Sequence, residues 1–135
     1  MLTARAITDI NEQKSCCEVC GMTHDADLLY YAIFENDSDC LGTCAFRFCK
    51  DKAVIVDIEP KCNTYDKEAM FILGKATLNF IDLVNFKAVE YTAKDMELAA
   101  LLEFYEKNGI IILIVSDDYE QATAKLKELG AKAVK

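Results

Sequence analysis

Residues 53–74 read AVIVDIEPKCNTYDKEAMFILG, and the fold turns on how this stretch divides. Its opening, AVIVDIE, is rich in β-branched residues and bounded by Pro60, which reads as a strand. From Lys67 the apolar residues recur at helical spacing, so a helix is predicted from residue 67 to about residue 84. Met70, Leu73, Thr77 and Phe80 form one stripe along it, and Phe71, Leu78 and Ile81 form another. A helix that is apolar on nearly every side is central and buried.

Many α/β proteins hold a phosphate at such a strand-to-helix connection, because the free N–H groups of the first turn and the helix dipole both favour an anion. Here no glycine precedes the helix. Asp66 is suited to be the N-cap, so its carboxylate accepts from the N–H groups that a phosphate would use. Glu68 adds a second negative charge in the first turn, and Lys61 and Lys67 offset part of it. Each like charge a few ångströms away costs an anion about 1 kcal/mol in water, and more when shielded, so two remove about two decades of affinity. The connection reads as a helix start that caps itself.

Working toward the N-terminus, CLGTCAFRF and LLYYAIF are two more strands, joined by the turn-rich segments CKDK and ENDSD. Short connections of this kind make an antiparallel meander. LTARAIT alternates as a first strand, and Thr8 or Asp9 caps a helix that runs to a stop at Gly21. Asp9 and Glu12 have capping-box spacing. Toward the C-terminus, KAVEYT reads as a strand and DMELAALLEFYEKN as a helix stopped by Gly109. IIILIVS reads as a fully buried strand that this chain or a partner must cover on both sides, so a homodimer is an expectation. DDYEQATAKLKEL is an amphipathic helix with Ala122, Leu126 and Leu129 on one face, and AKAVK is a last short strand. The order is β-α-β-β-β-α-β-α-β-α-β, an α/β chain around a mixed sheet.

The 135 residues suit one domain, residues 1–135, and 53% hydrophobic with 28% charged residues describes a globular chain. A net charge of −8 argues against nucleic acid, whose binding needs clustered Lys and Arg. The N-terminal MLTARAITDINEQK has no apolar targeting segment, and no apolar run approaches the ~18 residues of a membrane span. Both point to the cytoplasm, with no membrane partner. Reduced thiols are the rule there.

Seven cysteines are therefore taken mainly as buried packing groups, with a metal or redox site on Cys16, Cys17 and Cys20 as the alternative. On a continuous strand Cys40 and Cys44 share a face about 13 Å apart, too far to share a zinc ion. No metal is expected. His24, the one histidine, lies in the loop GMTHDAD, where a solvated role is expected.

Val56-Asp57-Ile58-Glu59 ends its strand with two carboxylates. Strict alternation puts Ile55, Asp57 and Glu59 on one face. Two neighbouring acids raise the pKa of one, which suits a general base; solvated strand-end acids are the plainer alternative.

The path from Leu41-Gly42-Thr43-Cys44 through AVIVDIEP and the helix ATLNF to Phe104-Tyr105-Glu106-Lys107-Asn108-Gly109-Ile110 resembles the GNAT N-acetyltransferase family over roughly residues 2–110. Such proteins carry a meander strand ending in V-x-P before the acyl-CoA loop, and a later helix ending in Y-E-K-x-G-F. The resemblance implies a GNAT-like mixed sheet, an antiparallel meander followed by β-α-β units, with helices on both faces. It implies acetyl-CoA as cosubstrate and a small-molecule or protein amine as acceptor. By position, Glu59 or Asp57 deprotonates the amine and Tyr105 protonates the departing thiolate. Asn63, Thr64, Tyr65 and Lys67 would hold coenzyme A by side chains, since the family's Gly-rich loop is absent. The added C-terminal helix departs from the family's ending, in which two antiparallel strands follow the Gly-Phe. A non-catalytic binding or regulatory module of the same fold is the alternative.

Overall fold

The structure, a computed structural model, describes residues 1–115 and 119–135. Ser116, the predicted end of IIILIVS, and Asp117 and Asp118, the predicted start of the last helix, lie outside the described residues. The elements are β1 (Leu2–Ala6), α1 (Ile10–Val19), β2 (Leu29–Glu35), β3 (Asp39–Cys49), β4 (Lys52–Pro60), α2 (Lys67–Leu83), β5 (Ala88–Tyr91), α3 (Met96–Leu101), β6 (Tyr105–Lys107), β7 (Ile110–Ile114), α4 (Tyr119–Glu128) and β8 (Lys132–Ala133). Among the described residues, one sheet holds all eight strands in the order β1-β2-β3-β4-β5-β7-β6-β8. Every pair is antiparallel except β4–β5, which the crossover helix α2 makes parallel.

Helices cover both faces. On one, Met70, Leu73 and Ile81 of α2 pack with Leu98 and Leu102 against Cys44, Phe46, Ile55 and Ile58 of the sheet, all of them buried. Burying each such side chain fully stabilises the fold by about 1.5–3 kcal/mol. Gly74 lets α2 and the end of α3 approach, since a Cβ there would sit 2.6 Å from Leu102 Cδ1. On the other face, Cys16, Cys17 and Cys20 pack on Tyr30, Ala32, Phe34, Cys40 and Ala45. The α4 helix sets Leu126 against Tyr105 beside Ile112 and Ile114. Among the described residues three capping aspartates act alike: Asp9, Asp66 and Asp95 accept from the backbone N–H of Glu12, Ala69 and Leu98. At the first cap the Glu12 side chain turns away from the box and takes both guanidinium nitrogens of Arg5, at 2.9 and 2.7 Å.

Two bulges change which residues share a face. On β2–β3, Ile33 pairs with Gly42 and Phe34 with Cys40, leaving Leu41 as an extra residue. Cys40 therefore faces the α1 side and Cys44 the α2 side, not one face as strict alternation predicts. On β3–β4, Ala45 pairs with Asp57 and Phe46 with Ile55, leaving Val56 extra. Asp57 and Glu59 still share a face, but Ile55 lies on the opposite one with Ile58. A single inserted residue shifts the period-two pattern by one and flips everything beyond it.

The predicted helix over residues 95–108 is shorter. It ends at Leu101, and after Glu103 at φ 67° the chain enters β6. Asn108 and Gly109, at φ 53° and 81°, are the two central residues of a hairpin joining β6 to β7. Asn-Gly at positive φ is the signature of that turn. The β7 strand is less buried than IIILIVS suggested: Ile111 is 9% exposed, Ile110 is 47% exposed, and Ile112 to Ile114 are half-buried. Ile111 joins the core cluster with residues of α2, and Ile112 and Ile114 pack in part beside Leu126 of α4. Leu129, predicted on the apolar face of α4, is 51% exposed just beyond the helix end.

Candidate functional site

The parallel pair β4–β5 is short. It joins Ala53 to Val89, Val54 to Glu90 and Ile55 to Tyr91. Thr92 then closes the ladder, its backbone N–H and its hydroxyl both donating to the Ile55 carbonyl, at 3.0 and 3.1 Å. β5 ends there while β4 continues to Pro60. From Val56 onward the edge of β4 has no strand beside it on that side, among the described residues, so the two strands part and leave a cleft at their C-terminal ends. In open α/β sheets this is where ligands sit.

Asp57 and Glu59 lie along that free stretch, both half-buried and both on the α1 face. Burial holds the Glu59 carboxyl above the usual range, and the Asp57 charge and a hydrogen bond with the Asp57 carboxyl push it the same way. Asp95 adds to the rise and Lys94 opposes it. A carboxyl of this kind accepts a proton more readily than a solvated one.

Two tyrosines gather around the same place through Asp95. Tyr91 of β5, 2% exposed, donates its hydroxyl to the Asp95 carbonyl at 2.9 Å. Tyr65, 49% exposed in the connection before α2, donates to Asp95 Oδ2 at 3.4 Å. Burial raises both phenols, with the Asp95 charge next in size. Asp95 Oδ1 meanwhile caps α3 by accepting from Leu98 at 2.9 Å. One aspartate thus ties the α2 connection to the β5–α3 turn across the cleft.

The N-terminus of α2 satisfies itself, since Asp66 Oδ1 accepts from the Ala69 N–H at 3.1 Å and Glu68 occupies the first turn. Before it, Asn63 is exposed at φ 62°, and the Thr64 N–H donates back to the Lys61 carbonyl at 3.0 Å. Lys61 is engaged with Asp39 at 3.3 Å. Exposed Lys67 lines a cavity of about 560 Å³ with Tyr65, Glu97, Leu101 and Lys135. A diphosphate therefore fits this helix start poorly through backbone amides and has side chains to meet instead.

Of the residues singled out in the sequence, Asp57 and Glu59 share a face at the end of β4, and Asn63, Thr64, Tyr65 and Lys67 follow on the connection and first turn of α2, where Tyr65 reaches Asp95. Tyr105 is elsewhere. It sits on β6, 6% exposed, packed with Leu126 and Ala131 under α4. Three strand positions separate β6 from β4, roughly 14 Å across the sheet. Asp95 and Tyr91 were missed, although Asp95 carried a readable signal as the polar residue before MELAAL. His24 is half-buried, not simply solvated: its ring stacks on Tyr30 and Nε2 pairs with Gln13 Oε1 at 2.9 Å. Among the described residues, no group of three or more His, Cys, Asp or Glu side chains is arranged to hold a metal ion.

No family model matches the chain, and no curated protein matches its sequence. Solved structures do match its fold. The ribosomal-protein-alanine N-acetyltransferase of Escherichia coli superposes at TM-score 0.64 and 10% identity over 87% of this chain and 98% of its own. The PaiA N-acetyltransferase of Thermoplasma acidophilum, solved with coenzyme A, gives 0.63 at 12% over 83% and 96%. The N-acetylglutamate synthase of Neisseria gonorrhoeae, solved with coenzyme A and N-acetyl-glutamate, gives 0.63 at 9% over 100% of this chain and 35% of its own. The chain has a mixed α/β fold of the N-acyltransferase class. More particularly, it has the fold of the GNAT N-acetyltransferases.

Proposed function

We propose that the protein transfers an acetyl group from acetyl-CoA to an amine, small or on a protein, with Glu59 as the general base. The observation that carries this reading is the half-buried Asp57–Glu59 pair, on one face of β4 at the open end of the parallel pair β4–β5. Glu59 receives the proton of the incoming ammonium, directly or through one water, and Asp57 keeps its basicity high enough to do so. The free edge of β4 offers backbone N–H and C=O groups to the amides of an extended acyl-CoA arm. Tyr65 is the exposed phenol at the cleft mouth and is placed to protonate the departing thiolate. Tyr105 has no part in this reading, because β6 is too far from β4.

The fold neighbours support an amine acceptor: one is named for the alanine of a ribosomal protein, and another was solved with N-acetyl-glutamate. The test is thiol release from acetyl-CoA with a polyamine, α-amino acids and short peptides as acceptors. Release above the level of a Glu59→Gln variant is expected with at least one. Equal release from both proteins with every acceptor would sink the reading.

A second reading, a non-catalytic binding module, is favoured by one observation. The Asp66 cap fills the place where a diphosphate would be gripped. No acetyl-CoA binding at millimolar concentration would leave that reading standing and the first without a donor.

A further inference from the structure

Three thiols meet on the face of the sheet under α1, outside the cleft. Cys16, Cys20 and Cys40 are 3%, 4% and 7% exposed. Cys20 and Cys40 both reach the Thr43 hydroxyl, at 3.3 and 3.5 Å, and Thr43 in turn donates to the Cys16 carbonyl at 3.3 Å. Cys16 packs in the same buried cluster as Cys20 and Cys40, and the Cys40 sulfur also donates to the Gly42 carbonyl at 3.5 Å. Isolated buried cysteines serve as small apolar residues, but three converging sulfurs need a reason beyond packing.

The cluster is not sealed. A cavity of about 350 Å³ opens onto Cys16 and Cys40, with Glu12, Phe34, Asp39 and Lys61 around it. The acids on its rim are already paired, Glu12 with Arg5 and Asp39 with Lys61, so they repel an anionic sulfur less than bare carboxylates would. Cys20 does not line this cavity. Cys62, by contrast, is exposed.

We propose that Cys40 is an oxidation site for small hydroperoxides, reached through this cavity, and that Cys16 resolves it to a Cys16–Cys40 disulfide linking α1 to β3. The Cys40 sulfur attacks one oxygen of the hydroperoxide, the O–O bond breaks, and the alcohol or water leaves after taking a proton. Cys40 is then a sulfenic acid. The Cys16 sulfur attacks it, the S–S bond forms, and the hydroxyl leaves as water with the Cys16 proton. Two thiols lose two electrons and the hydroperoxide gains them.

The electrostatics favour that order. Cys40 lines the cavity and its sulfur reaches the Thr43 hydroxyl, and hydrogen bonding with Cys16 and then Cys20 pulls its thiol below the usual range, so Cys40 is taken as the attacking thiol. The hydrogen bond with Cys40, then burial, hold Cys16 high while Cys40 is anionic. Once Cys40 is a neutral sulfenic acid that restraint is gone, and Cys16 can ionise and attack. The step stands independently of acetyl transfer. It does touch the cleft, because Thr43 pairs with Glu59 across β3–β4.

The test uses the full-length protein with one equivalent of hydrogen peroxide, followed by peptide mapping without reductant. A Cys16–Cys40 disulfide is expected, and a Cys16→Ala variant treated with dimedone should carry the adduct on Cys40. A measurement without any variant guards against misfolding: iodoacetamide should label Cys40 of the native protein about ten-fold faster than Cys62. A disulfide to Cys20 would overturn the proposal. So would oxidation confined to Cys49 and Cys62, or labelling of Cys40 only after denaturation.

Discussion

The strand end of β4 and the helix start of α2 face the same cleft and have opposite chemistry. At the strand end two carboxylates sit half-buried on one face, and burial and the Asp57 charge raise the Glu59 carboxyl so that it takes up a proton more readily. At the helix start a carboxylate has spent its acceptor on the helix's own Ala69 amide. The first arrangement keeps a charge poised and disfavoured, which lowers stability. The second uses a charge to stabilise a helix by the ~1 kcal/mol typical of a cap and gives up an anion site in return. On the proposed reading, the contrast teaches that one cleft can keep its acceptor-side chemistry while its donor-side grip is weakened.

The largest expected effect comes from the strand end. Glu59→Gln should lower the acetylation rate by about 10²–10⁴-fold, the range for a general base, without changing acetyl-CoA affinity. An equal loss of affinity would show that the strand end binds the donor and that the two regions are not separate in role. The pH profile sharpens the point. The rate should rise with pH as Glu59 ionises, and Asp57→Asn should move that rise to lower pH, because Asp57 raises Glu59 by both charge and hydrogen bond. An unmoved profile would mean that another group is the base.

Stability should follow the same sign. The folded Glu59 pKa lies above its unfolded value, so the folded state binds the proton more tightly between the two. Stability is therefore lost as pH rises through that window. Glu59→Gln should melt above the wild type at pH 7 and no differently at a pH below the unfolded value, as thermal denaturation would show. A lower melting temperature at pH 7 would mean that Glu59 is paired favourably.

At the helix start, Asp66→Asn keeps a capping acceptor and removes the charge, so acetyl-CoA affinity should rise about five-fold with little change in melting temperature. Least of all, Tyr105→Phe should leave the rate within about two-fold, since the ring lies under α4. A drop comparable to that of Glu59→Gln would return the acid's role to Tyr105 and with it the importance of the Tyr-Glu-Lys-Asn-Gly match.

Much of the meander and α2 was legible, because alternation and a two-striped helix follow directly from which residues must leave water. The caps at Asp9 and Asp66 were legible because they are local. The bulges were not. Leu41 and Val56 are extra only relative to the strands beside them, so nothing within either strand announces that Asp57 has turned away from Ile55. The β6–β7 hairpin was legible and misread. Asn108-Gly109 is a turn by its own chemistry, but EFYEK continues the helical spacing of MELAAL and resembles a familiar helix end. Asp95, which gathers Tyr65 and Tyr91, carried its signal as a cap and none as a bridge, because the partners lie 30 and four residues away in sequence.

Calorimetric titration of acetyl-CoA into wild-type and Asp66→Asn protein tests the contrast most directly. The account predicts weak wild-type binding, on the order of 0.1–1 mM, tightened severalfold by the substitution. Micromolar binding to the wild type, unchanged in Asp66→Asn, would contradict it.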